Sequence, residues 1–141
     1  MSPQQPWPAP LDPEERVLLA DPRLAEAICL FNAADWYACH DGFEALWHET
    51  AGPMRPVLQG ILQIAVAELH YERGNLRGAT ILMGEGLGRL ASAVDEGLGL
   101  DLAGLRHTAG LRLRALQDQE TLAALQRPRL AAAELQHPSV D

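Results

Sequence analysis

Two long segments in which apolar residues recur every three or four positions are separated only by Arg73-Gly74-Asn75. Apolar residues at that spacing line one face of a helix. Glycine accepts the left-handed conformation that ends a helix, and asparagine caps the start of the next. A turn this short between long helices forces them to run antiparallel. The pattern predicts a central helical hairpin. Its first arm runs from about Pro53 or Arg55 to Arg73, and its second is capped by Asn75 and carries Leu76, Ala79, Met83, Leu87, Leu90 and Val94. The second arm also holds Gly78, Gly84, Gly86 and Gly88. Each costs about 1 kcal/mol relative to alanine inside a helix. Close approach of a neighbouring backbone is the compensation expected.

The flanking sequence extends this all-α reading. Aromatic residues make up only 5% of the 141, and leucine and alanine supply most of the apolar bulk, a mixture that favours helix over strand. Asp12 and Asp21-Pro22 mark a helix start and a restart, and Leu24, Ala27, Ile28 and Phe31 form its apolar face. Asp35 caps a helix that ends at Ala51-Gly52-Pro53. Gly97–Leu100 reads as a linker. Asp101 caps a last helix with Leu102, Leu105, Ala109 and Leu116 on one face, and Leu122–Leu125 with Leu130–Leu135 read as a further helix broken at Pro128. The expectation is a compact bundle of about five helices. Residues 1–13 form a proline-rich arm, 14–120 the helical domain, and 121–141 a C-terminal helical extension and tail.

Charge and composition exclude several classes. The formal net charge is −8, and every one of the eleven Lys+Arg positions is arginine. An acidic chain without a run of arginines disfavours nucleic-acid binding. The absence of lysine removes Schiff-base chemistry and a phosphate-loop lysine. Cys29 and Cys39 have no zinc-finger spacing; they can form a disulfide, but two thiols in a helical core read more readily as reduced and buried. Ile61–Leu69 is interrupted by Gln63 and Glu68, so no membrane span is expected. Met1–Pro10 has neither a basic nor an apolar leader region, which makes the cytoplasm the expected compartment.

The residues able to do chemistry cluster in two segments. His40, Glu44 and His48 recur every four positions, so successive members lie ~40° apart on one helical stripe. Asp41 stands beside His40. Gln59, Gln63 and His70 form a polar stripe in the otherwise apolar first arm of the hairpin. Antiparallel packing would bring the two stripes face to face, with Trp36, Tyr37, Phe43 and Trp47 as core or groove wall. Three readings stay open. His40 and Glu44 are weak candidates for metal ligands that need a third donor such as Glu68 or His70; His40 and His48 cannot share one ion, being ~12 Å apart along the axis. Glu44 orienting His40 as a proton-transfer group is the second reading. A structural His–Glu–Gln network is the third. Arg73 and Arg77 flank the Gly-Asn turn, as surface charges or as an anion clamp with the following helix N-terminus. Ser92, Ser139 and Thr50 have no nucleophile setting.

Together these residues are recognisable. Phe31-Asn32, Trp36-Tyr37, His40-Asp41, Glu44, Leu46-Trp47, Leu58-Gln59-Gly60, Gln63, Ala67, His70 and the run Arg73 to Ala79 resemble the bacterial and archaeal family called domain of unknown function 309, over roughly residues 24–117. The resemblance implies a compact helical bundle and no assigned activity. The chain departs from the pattern at Ala38, where the family often has glutamate, at Asp41, where it usually has glutamate, and at His48, where a basic residue commonly follows the tryptophan. His40, Asp41, Glu44 and Trp47 match.

The leading expectation is a non-catalytic module that binds an unidentified protein or small polar ligand, without a cofactor. Its groove would be lined by His40, Asp41, Glu44, Trp47, Gln59, Gln63 and His70, with Arg73 and Arg77 nearby. The alternatives are a small enzyme, with or without a metal, using His40 and Glu44, and a homodimer that buries the glycine-rich helix face.

Overall fold

The computed structural model describes residues 11–134. The proline-rich arm up to Pro10 and the tail beyond Glu134 lie outside the described residues. Six helices, α1 (Pro13–Ala20), α2 (Pro22–Asn32), α3 (Trp36–Glu49), α4 (Met54–Glu72), α5 (Leu76–Leu90) and α6 (Leu102–Gln117), form the all-α bundle. Between α5 and α6 the expected linker folds as a two-stranded hairpin, β1 (Glu96–Gly97) and β2 (Leu100–Asp101). Its two turn residues, Leu98 and Gly99, have φ of 56° and 71°, as a tight hairpin turn requires.

The helix starts follow the caps read from sequence. The side chains of Asp12, Asp21, Asp35, Asn75 and Asp101 each accept a backbone N–H in the first turn of the helix that follows. Helix α4 has no side-chain cap of its own. Glu14 of α1 serves that end instead, accepting from the N–H of Gly52 at 2.6 Å and of Met54 at 2.8 Å. The orphan donors of the α4 N-terminus are thereby paired with a carboxylate, which the helix dipole also favours.

The hairpin of α4 and α5 forms the centre, with α3 against α4, α2 against α3, and α6 against α5. Gly74 turns the chain at φ 78°. The two backbones meet where Gly60 crosses Gly86. A Cβ on Gly60 would lie 3.0 Å from the Gly86 carbonyl oxygen, and one on Gly86 would lie 2.9 Å from the Gly60 oxygen. Close approach therefore explains Gly86, but Gly84 and Gly88 have nothing within 4 Å of a Cβ position. Helix α5 ends at Leu90, so Val94 lies beyond it and is exposed rather than on the core face. The core itself is built on Phe31, whose ring meets Trp36 and Phe43 edge-on at centroid distances of 5.0 and 6.5 Å.

The further helix expected after residue 121 does not form among the described residues. The two segments on either side of Pro128 are too short to repay helix nucleation. The bundle's own side chains take up the backbone groups instead. The Tyr71 hydroxyl accepts from Leu122 N–H, Arg112 donates to the Gln126 carbonyl, and the Asn32 amide bonds both the N–H (2.8 Å) and the carbonyl (3.0 Å) of Leu130. Leu122 and Leu130 are buried, and Ala132 bridges Leu100. Residues 119–134 are thus an extended strap laid over the bundle.

Candidate functional site

Helix α3 turns one side to the core through Trp36, Cys39, Phe43 and Leu46. The period of 3.6 then sends His40, Glu44 and His48 outward. His40 Nε2 lies 2.9 Å from Glu44 Oε2, and His40 Nδ1 lies 3.3 Å from Asp41 Oδ1. Glu44 Oε1 reaches His48 Nε2 at 3.5 Å. One carboxylate thus stands between two imidazoles. The His40 side chain is 30% exposed and that of Glu44 41%, so this is a surface ladder, not a sealed network.

The next turn carries Trp47. Arg55 stacks on its ring, 4.0 Å from the centroid, and donates to the carbonyls of Trp47 (2.9 Å) and Thr50 (3.0 Å). Arg55 therefore closes the α3 C-terminus, where carbonyls lack partners and the dipole favours a cation. The indole Nε1 of Trp47 is buried without a hydrogen-bond partner.

Helix α4 is half-exposed along Arg55, Gln59, Gln63 and His70, and its core side carries Leu58, Ile61, Ile64, Ala65 and Glu68. Glu44 and Gln59 stand equally far along the chain from the Ala51-Gly52 turn, as do His40 and Gln63. The antiparallel pair therefore sets them level. Among the described residues, however, no hydrogen bond joins the α3 ladder to this stripe. Gln63 Nε2 instead donates to Glu85 of α5 at 3.1 Å, and its Oε1 is buried without a partner. His70 Nδ1 contacts the Asn75 amide at 3.0 Å in the hairpin turn. The eleven residue steps from Gln59 to His70 span about 16 Å of helix, so His70 belongs to the far end.

The expected groove thus divides. His40, Asp41, Glu44, Trp47, Gln59 and Gln63 share the outer face of the α3–α4 pair. His70, Arg73 and Arg77 gather at the α4–α5 turn, where both arginines are exposed and have no hydrogen bond or ion pair among the described residues. Arg77 lines an open cavity of about 660 Å³. Tyr37, expected as wall, is 60% exposed.

Other expectations also change. Glu68 is not free to join His40 at a metal. It is buried and paired with Arg112, a residue the sequence reading passed over. The signal was present, since Arg112 falls on the apolar stripe of Leu105, Ala109 and Leu116, and a buried arginine demands an acid. Among the described residues no group of three or more His, Cys, Asp or Glu is arranged to hold a metal ion. Cys29 is exposed rather than buried; Cys39 is buried, and both are free thiols. No described helix is long and apolar enough to cross a membrane.

A family model described as Domain of unknown function (DUF309) matches residues 24–82. The match runs from α2 into α5 and contains the whole candidate face. It stops short of the wider span over which the motifs resemble the family. No curated protein matches the chain.

Proposed function

With residues 24–82 belonging to the domain of unknown function 309 family, we propose that the protein is a non-catalytic binding module whose contact surface is the outer face of α3 and α4. The observation that carries this is the pair of unpartnered buried atoms, Trp47 Nε1 and Gln63 Oε1. Leaving a buried polar atom unpaired costs about 1–3 kcal/mol, and a side-chain rotation that brings either atom to the surface would let a partner's polar group recover it. One atom is a donor and the other an acceptor. A peptide amide supplies the complement of both, a carbonyl for the indole and an N–H for the glutamine.

Charge narrows the partner. Asp41 and Glu44 lie on the face and Glu85 beside it, and the chain carries a net charge of −8. A peptide segment bearing a basic side chain fits this field. The ladder's exposure supports the same reading, because a half-exposed carboxylate between two histidines stays open to a partner cation.

The second reading, acid–base catalysis by His40 and Glu44, rests on their 2.9 Å contact, the geometry of an oriented base. An open helix face excludes little water, which weighs against it.

N-acetyl-argininamide is the minimal probe. Titrated into the 15N-labelled protein, it is expected to shift the indole N–H signal of Trp47, identified by its loss in Trp47→Phe, with a dissociation constant of about 1–10 mM. Glu44→Gln should weaken the effect severalfold. An unmoved Trp47 signal at about 20 mM probe, well above that range, contradicts the reading.

A further inference from the structure

A second site lies at the other end of α4, where the chain leaves α6. Asp118 closes that helix, and Gln119, with φ 58°, turns the backbone sharply. Gln119–Thr121 are thereby brought over the first turns of α5. The space between is the open cavity of about 660 Å³, large enough for a small organic molecule.

Its lining separates into an apolar wall and a polar one. Leu76, Leu116 and the Tyr71 ring form the first. Leu76 is 53% exposed, which leaves its side chain open to an apolar ligand. The polar wall has two donors. The Arg77 guanidinium has no acidic partner among the described residues. The Tyr71 oxygen accepts from Leu122 N–H at 3.0 Å, and its O–H, which rotates about the C–O bond, can turn from the neighbouring Thr121 hydroxyl to a ligand. Hydrogen bonds with the Thr121 side chain and the Leu122 backbone hold the Tyr71 phenol below its ordinary pKa, which strengthens it as a donor. Thr80 already donates to the Leu76 carbonyl and offers only lone pairs.

We propose that this cavity binds a small carboxylate with an apolar body, the carboxylate on Arg77 and the Tyr71 hydroxyl and the body against Leu76 and Leu116. A guanidinium paired with a second donor suits a carboxylate's two oxygens. Glu120 also lines the cavity. Its charge disfavours a purely anionic ligand and favours one that carries an amine beside its carboxylate. Apolar amino acids therefore bind more tightly than the matching plain acids. This site is independent of the α3–α4 face.

The test uses two probes with the same body, L-leucine and 4-methylpentanoate, followed by the backbone amide signals of Thr80 and Thr121. Both probes should shift these signals with dissociation constants of about 1–20 mM, leucine the tighter, while the Trp47 indole stays still. Arg77→Ala should weaken both at least tenfold, and Glu120→Gln should remove the preference for leucine. Arg77 and Glu120 are exposed, so neither variant threatens folding. The proposal is overturned if neither probe moves the two signals, if Arg77→Ala binds as the parent does, or if isoamylamine, which lacks the carboxylate, binds equally well.

Discussion

Glu68 of α4 and Arg112 of α6 meet as a two-pronged ion pair, Arg112 Nε 2.7 Å from Oε2 and Nη2 2.5 Å from Oε1, with both side chains 4% exposed. Arg112 also donates to the Gln126 carbonyl at 2.9 Å, so the same guanidinium fastens α6 to α4 and the strap to both. Removing one member strands a buried charge. Arg112→Met is expected to cost about 3–5 kcal/mol of unfolding free energy in urea. Adding Glu68→Leu should restore most of it, because an apolar pair of similar size needs no partner. A double variant as unstable as the single one would contradict this account of the pair.

The glycines of the hairpin should respond in opposite directions. Gly60→Ala places a Cβ 2.7 Å from Leu90 Cγ and 3.0 Å from the Gly86 oxygen. The backbone cannot yield cheaply there, and a loss of about 1–3 kcal/mol is expected. Gly84→Ala and Gly88→Ala meet open space and should each gain about 0.5–1 kcal/mol. Thermal melts of the three variants check both signs. Light scattering on Gly84→Ala adds a control, since a homodimer burying this face would dissociate instead.

Asn32 holds the strap by its two bonds to Leu130. Asn32→Ala leaves both backbone groups without a partner, an expected loss of about 1–3 kcal/mol. The loss should be concentrated locally. Hydrogen exchange of the Leu130 amide should accelerate far more than that of Ile64 in the α4 core. Uniform acceleration would mean that the strap does not open separately.

The cysteines differ in reach. Cys29 is exposed and should react with a thiol reagent at once in the native protein. Burial pushes the Cys39 thiol up from 9.0 to about 12, and the thiolate is the reactive form. Native labelling should therefore stop at one equivalent and reach two only in denaturant. The sign for stability follows. The folded state holds this proton more tightly than the unfolded chain does, so the contribution is complete below pH 9 and is lost as pH rises towards about 12. Cys39→Ala should flatten the alkaline end of the stability profile.

The helices were legible because their punctuation is local. Aspartate and asparagine caps, Pro22 at a first helical position and Gly74 at a positive φ each act within one turn of chain. The strap was not legible, because its leucines imitate a helix while its backbone partners, Asn32, Tyr71 and Arg112, come from distant elements. The α3 ladder was legible from a spacing of four. That Gln63 reaches Glu85 of α5 was not, since the stripe on α4 stands between two neighbours and periodicity does not choose between them. Likewise Arg112 could be placed on the apolar face of α6, but pairing it with Glu68 required the packing of α6 on the hairpin.

The central claim is that the polar residues on the outer face of α3 and α4 serve a partner rather than the fold. The unfolding free energy of the Glu44→Gln, Gln63→Met double variant tests this most directly. Both changes preserve shape; one removes the ladder's charge, and the other removes an unpartnered oxygen together with the exposed amide bond to Glu85. Exposed ionic contacts contribute about 0–1 kcal/mol, and replacing an unsatisfied polar atom by an apolar one costs little. The account predicts a double variant within about 1 kcal/mol of the parent, or more stable. A loss of more than about 3 kcal/mol, the scale of a broken buried network, would contradict it.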